Sequence, residues 1–206
     1  MIVLSTAYLG NIQYYSKLLS DEECFIEANE NYIKQSYRNR CDILSANGVI
    51  SLSIPVIKRH GEKMPIREVE IDYTMPWQKQ HWKSIVSAYK SSPFFDYYEE
   101  LFIPHYTRKE KYLIDFNRRL MDTVAVCLGV SIEVPYTDKY VMYSPGVRDF
   151  RNTISPKSRL RREDSDFFAR PYYQVFSEKF PFQPNLSIID LLFCEGTEAK
   201  KMILMP

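Results

Sequence analysis

At 206 residues, with 45% hydrophobic and 26% charged side chains, the chain can bury a sizeable core without disulfide or metal staples and is too apolar to stay disordered. Lys and Arg number 27 against 26 for Asp and Glu, so the basic excess that drives duplex binding is missing and nucleic acid is disfavoured as a partner. No uncharged apolar run approaches the ~20 residues that cross a bilayer.

The opening Met1–Ser5 lacks the basic start and apolar length of a secretory signal. Cys24, Cys41, Cys127 and Cys194 are dispersed, form no Cys-x-x-Cys pair and adjoin apolar segments. Buried, reduced thiols are expected, which suits a cytoplasmic setting. The expectation is one domain over 1–206 with no integral membrane segment.

Ile2–Leu4 reads as a buried strand. Asn11 can cap a helix in which Ile12, Tyr15 and Leu19 share a face, and Cys24–Ile26 reads as a second strand. Strand, helix, strand is the start of an α/β layer. Asn47-Gly48 then marks a type I′ hairpin turn between Cys41–Leu44 and Val49–Ile57. In the second arm Ile50, Leu52, Ile54 and Val56 alternate with Ser51 and Ser53. Val69 and Ile71, interleaved with acids, predict another half-exposed strand.

The centre has helical spacing. Trp82, Ile85, Val86 and Tyr89 make one stripe, and Ser92-Pro93 has the form of a helix start. Leu113, Phe116, Leu120, Val124 and Cys127 predict a longer helix stopped by Gly129. Residues 144–171 read as a long charged loop, after which order resumes at Tyr172–Phe176. A buried helix follows over Ser187–Glu195, with Ser187 and Asp190 in capping-box spacing and Gly196 closing it. The fold class is α/β: a mixed sheet with a strand-helix-strand start and a β-hairpin, followed by a helical half.

Chemistry-bearing residues are scattered. If Arg38-Asn39-Arg40 is extended, both guanidiniums share a face about 7 Å apart, able to clasp a phosphate or carboxylate; otherwise they are a solvated face with Asp42 as internal partner. From Arg148 to Arg162, six basic residues stand against Asp149 alone, a local field that suits a diphosphate unless Glu163, Asp164 and Asp166 cancel it. Asp164-Ser165-Asp166 formally matches the Asp-x-Asp metal motif of glycosyltransferases. It sits in a charged loop, not at a strand end, and is rejected. His60, His81 and His105 are too dispersed for a metal site, and no metal is expected. His81 is either a boundary histidine or a proton-transfer group. Asp190 suits the start of its helix, whereas Glu195 opposes the helix dipole and must be paired, neutral or functional. No glycine-rich phosphate loop is present, since the first turn holds only Gly10, and the cofactor stays open. The 16 tyrosines among 30 aromatics could stack on sugar or base rings.

Several stretches recur together: Ser5–Tyr8 with Gln13–Tyr15; Glu30–Arg40; Asn47-Gly48 before Leu52–Val56; His81–Ile85 with Ala88–Lys90; Ser92–Phe95. Further on come Asp149–Arg151 with Ile154–Lys157, Tyr173–Phe176, and Pro184–Phe193 leading to Glu195-Gly196. Together these resemble the WbqC-like family along essentially the whole chain. Its members are associated with bacterial O-antigen and related polysaccharide gene clusters. Gly10-Asn11 stands where that family commonly has proline, and Cys194 where it commonly has asparagine.

The resemblance implies a transferase acting on a nucleotide- or lipid-linked sugar, or a similar anionic small molecule. Arg38, Asn39, Arg40, Tyr89, Arg151, Lys157, Gln174 and Asn185 are the expected substrate contacts, with His81, Asp149 and Glu195 as acid–base groups. The alternative is a non-catalytic scaffold of a polysaccharide assembly complex. Oligomeric state is left open.

Overall fold

Strand β1 (Ile2–Ser5) is buried along its whole length, which is why it reads as an uninterrupted apolar run. In the computed structural model, which describes residues 1–57, 63–142, 144–157, 160 and 164–204, β1 pairs in parallel with β2 (Cys24–Glu27) from Ile2↔Cys24 to Ser5↔Glu27. Helix α1 (Ile12–Leu18) connects them. As expected, Asn11 caps it: its Oδ1 accepts from the Tyr14 amide at 3.0 Å.

The antiparallel hairpin joins β3 (Arg40–Ser45) and β4 (Gly48–Ser53). Ala46 and Asn47 span its turn, and of the Asn47-Gly48 pair only Gly48 takes a positive φ, 100°. The turn is therefore not type I′, which needs positive φ at both central residues. Ile54 is buried and Ser51 and Ser53 are exposed, as the alternation implies. Val69 and Ile71 also point inward, yet they form no strand. The chain there is a 3-10 turn (Ile66–Glu68) and single bridges, Val56–Ile71 and Glu70–Tyr112. Alternation marks extended backbone, and a ladder also needs a partner of matching length.

Helix α2 (Trp77–Tyr89) buries Trp77, His81, Ile85, Ala88 and Tyr89, leaving Trp82 and Val86 half-buried. Its inner stripe is thus rotated from the expected one, and His81 lies inside it. Ser92 does not start α3 (Phe95–Thr107); its hydroxyl donates to the Tyr89 carbonyl at 2.6 Å and finishes α2 instead. Helix α4 (Leu113–Leu128) ends where Gly129 turns left-handed at φ 62°, ψ 40°.

Between residues 144 and 171, a third strand interrupts the expected loop. β5 (Arg148–Asp149) pairs in parallel with β1 through Arg148 N–Met1 O (3.0 Å) and Phe150 N–Val3 O (2.9 Å). Two charged residues carry no alternation to read, hence the miss. The parallel sheet runs β2-β1-β5.

Helix α5 (Ile188–Glu195) is the core's axis, with Ile188 to Phe193 at most 1% exposed. The Phe193 ring lies 5.3, 5.1 and 5.6 Å from those of Tyr89, Phe95 and Phe102, so α2 and α3 pack around it. Each such buried ring contributes about 1.5–3 kcal/mol. Gly196 ends α5 at φ 58°, ψ −129°, where a Cβ would sit 2.6 Å from the Phe94 ring. α6 (Ala199–Leu204) follows a 3-10 turn. The structure is mixed α/β, with its longer strands near the N-terminus and most of its helix beyond residue 76. All four cysteines are free and buried, and burial pushes the thiols of Cys24 and Cys127 up to about 12. Among the described residues, no helix is long and apolar enough to cross a membrane.

Candidate functional site

The carboxyl ends of β1, β2 and β5 face the same way, and the chain leaves β1 for β2 on one side while β5 arrives on the other. Open α/β sheets bind ligands in the crevice beyond such a divergence, because the flanking loops part there. An open hollow occupies this place. Ser5 and Thr6 line it from the end of β1, Arg38 from the segment before β3, and Phe150 and Arg151 from the residues after β5.

Arg38 is 3% exposed and grips Glu30 with both arms of its fork, Nε to Oε1 at 2.8 Å and Nη2 to Oε2 at 2.5 Å. Its Nη2 also reaches the Arg151 carbonyl at 3.3 Å, and the Ser5 hydroxyl donates to that carbonyl at 3.1 Å. Arg151, 5% exposed, donates from Nε and Nη2 to Asp149 at 2.9 and 2.6 Å and from Nη1 to Glu27 at 3.2 Å. Its guanidinium also stacks 4.6 Å from the Tyr140 ring centre. Glu27 is fully buried and fully satisfied: Oε1 accepts from the Asn29 amide and the Thr137 hydroxyl, and Oε2 from the Val141 amide and Arg151. Burial pushes the Asp149 carboxyl up, but the Arg151 hydrogen bonds and charge, with the Arg38 charge, outweigh this and hold it below the usual carboxylate range. Asp149 is therefore ionised at neutral pH.

The expected pairing of Arg38 with Arg40 is not formed. The chain turns between them, with the Asn39 amide donating to the Ser36 carbonyl, so the two guanidiniums do not share a face. Arg40 pairs with Asp42 at 3.1 Å, and Asn39 closes the hairpin end by donating to the Ile54 carbonyl at 2.7 Å. Lys157 does join Arg38 and Arg151, around an adjoining open hollow. Its Nζ donates to the Lys34 carbonyl at 3.0 Å and meets no carboxylate among the described residues.

The other candidates lie elsewhere. Tyr89 and Gln174 converge on Asp190, which accepts from the Tyr89 and Tyr172 hydroxyls at 2.7 Å each and from Gln174 Nε2 at 3.0 Å. Asp190 thus forms no capping box, and Ser187 turns its hydroxyl to the Leu9 carbonyl instead. Glu195 is only half-buried and accepts from the Tyr173 amide at 3.3 Å, so Asp190 and not Glu195 is the sequestered carboxylate of α5. Burial raises the Asp190 carboxyl despite its three donors. Asn185, at φ 56°, exchanges hydrogen bonds with Gln13 and fastens the start of α1. His81 has its Nδ1 2.9 Å from the Tyr8 hydroxyl, which lies 3.0 Å from that of Tyr106, and the Ser53 backbone engages the ring as well. Burial pushes His81 down to about 4, so it is neutral at physiological pH.

Within the charged loop, Arg148 pairs with Glu22 and Asp166, while Asp164 takes Lys17 at 2.8 Å and Gln13 at 2.8 Å. Asp164 thereby pins the loop to α1. His60, Arg159, Arg161, Arg162 and Glu163 lie outside the described residues. Among those described, no group of three or more His, Cys, Asp or Glu could hold a metal. Sequence reasoning missed Glu27, Glu30 and Asn117. Two of them carried a signal: Glu27 ends an apolar strand, and Asn117 interrupts the buried face of α4.

The WbqC-like protein family model matches residues 6–149, from the end of β1 to the end of β5. The chain is also similar to the uncharacterized protein Rv1507c of Mycobacterium tuberculosis (strain ATCC 25618 / H37Rv), at 24% identity over 218 residues, covering 96% of this chain and 94% of that one. No solved structure matches. With most of its length, and every strand of its parallel sheet, inside or adjoining the matched region, the chain belongs to the WbqC-like protein family.

Proposed function

We propose that the chain is a transferase of bacterial surface-polysaccharide biosynthesis, and that its nucleotide- or lipid-linked sugar sits in the cleft at the carboxyl edge of the parallel sheet. One observation carries the reading: Ser5, Arg38 and Arg151, drawn from three distant parts of the chain, converge beside an open hollow at the sheet's carboxyl edge. The hollow is lined by the Ser5 and Thr6 hydroxyls and by two guanidiniums that carry their own carboxylate partners, which matches a hydroxyl-rich ring better than a bare anion. The anionic handle of such a ligand falls to Lys157, because Arg38 and Arg151 are already neutralised by Glu30, Asp149 and Glu27.

A second reading, a non-catalytic binding protein of a polysaccharide assembly complex, draws support from the same ion pairs, which tie up Asp149, Glu27 and Glu30. A thermal-shift screen with UDP-, GDP- and dTDP-linked sugars, followed by mass spectrometry for turnover, separates the two. A ligand at 100 times its dissociation constant should add about 2.7 kcal/mol of stability. Binding with turnover supports the transferase, binding without turnover the second reading, and no shift with any sugar contradicts both.

A further inference from the structure

Asn117 is 2% exposed, and its Oδ1 has no hydrogen-bond partner among the described residues. Its amide cannot be turned over to cure this. The other end, Nδ2, donates to the Arg38 carbonyl at 2.8 Å, a group that can only accept. The same Nδ2 donates to Thr6 Oγ1 at 3.0 Å, so the Thr6 hydroxyl serves there as acceptor and its own proton has no acceptor among the described residues. Side by side, then, are one unmatched acceptor and one unmatched donor. A buried polar atom left unmatched costs about 1–3 kcal/mol, so this pair calls for an explanation.

Both residues line a small hollow, with room for about one water-sized group, that shares Thr6, Ala7 and Tyr14 with the main cleft and is otherwise walled by Ile26, Met121 and Tyr136. The two ends of an amide are about 2.3 Å apart, so Oδ1 and Thr6 Oγ1 are separated by at most about 5.3 Å. A single oxygen hydrogen-bonded to each at ~2.7–2.8 Å spans that distance. The atom that satisfies both must donate to one and accept from the other, which a hydroxyl group or a water can do and an ionised phosphate or carboxylate cannot. Arg118, the one charged residue at this hollow, is already committed to the Val134 carbonyl and stacks on the Tyr136 ring at 4.6 Å.

We infer that the hollow behind Thr6 and Asn117 is an inner subsite that seats one hydroxyl of a neutral saccharide whose ring lies in the main cleft. The inference rests on the sugar-binding reading above. It adds a direction to the ligand: the neutral ring inward toward Asn117, the anionic group outward at Lys157.

The test uses the full-length protein and the nucleotide sugar that gives the largest shift in the screen. Thr6→Val keeps the side chain's shape and removes the hydroxyl, both its proton and the acceptor for Asn117 Nδ2, and should weaken binding about tenfold, whereas Thr6→Ser should stay within about threefold of wild type. The free nucleoside diphosphate should bind all three proteins alike. On the wild-type protein, one among the single-deoxy analogues of the sugar should likewise lose about tenfold, a readout independent of any variant's folding. Equal binding of the nucleotide sugar by Thr6→Val, or no loss with any deoxy analogue, overturns the subsite and marks its occupant as a structural water while leaving the main cleft standing. If no nucleotide sugar shifts the wild type, the cleft and the subsite fall together.

Discussion

Replacing Arg38 by Met should lower the free energy of unfolding by about 3–5 kcal/mol, read from urea denaturation. The loss does not measure the attraction between Arg38 and Glu30. It measures the cost of leaving the Glu30 carboxylate, 5% exposed, without the fork that now binds both of its oxygens. Converting both partners, as Arg38→Met with Glu30→Leu, should recover most of that loss, since a buried pair replaced by apolar groups of similar volume is often neutral. A double variant as unstable as the single one would show instead that Arg38 acts chiefly through the Arg151 carbonyl. The cycle therefore separates a frame held by one ion pair from a frame held by the whole cluster.

Asp190→Ala should be of similar size, about 3–5 kcal/mol, because it strands three donors at once: Tyr89 and Tyr172 at 2.7 Å and Gln174 at 3.0 Å. These bonds join α2, α5 and the 172–174 segment, so the change reaches the centre of the core. A pH signature accompanies it. The Asp190 carboxyl is raised in the folded state by burial, so folding favours its protonated form. Its contribution to stability is complete below the ordinary carboxylate range and is lost as pH rises through the folded value. Asp190→Asn lacks that titration, and the advantage of wild type over this variant should shrink as pH increases from about 4. An advantage that grows with pH would mean that the three donors hold the group ionised.

Periodicity made the local elements legible. The Asn11 cap, the β1-α1-β2 opening, the hairpin arms and the Gly129 stop all follow from residues adjacent in the chain. Features that depend on distant partners were not legible. β5 is two charged residues whose only strand-like property is that β1 offers them an edge. Ser187 and Asp190 have capping-box spacing, but Leu9 on one side and Tyr89, Tyr172 and Gln174 on the other compete for their side chains and win. The cleft shows the same division. Arg38, Arg151 and Lys157 do come together, yet the carboxylates that neutralise the two arginines arrive from β2, from the turn after it and from β5, which no local pattern links to them. Tyr89, Gln174 and Asn185 match family positions and prove to be tied into packing networks, since a residue type cannot say whether its partner is ligand or protein.

Hydrogen–deuterium exchange with and without the strongest nucleotide-sugar ligand tests the placement of the site most directly. The cleft requires slowed exchange at residues 5–11, 36–38 and 150–157, which surround the carboxyl edge of β1 and β5. Slowing confined to residues 168–172 and the neighbouring apolar hollow at Phe182 and Met202, with no change at the sheet edge, would contradict it.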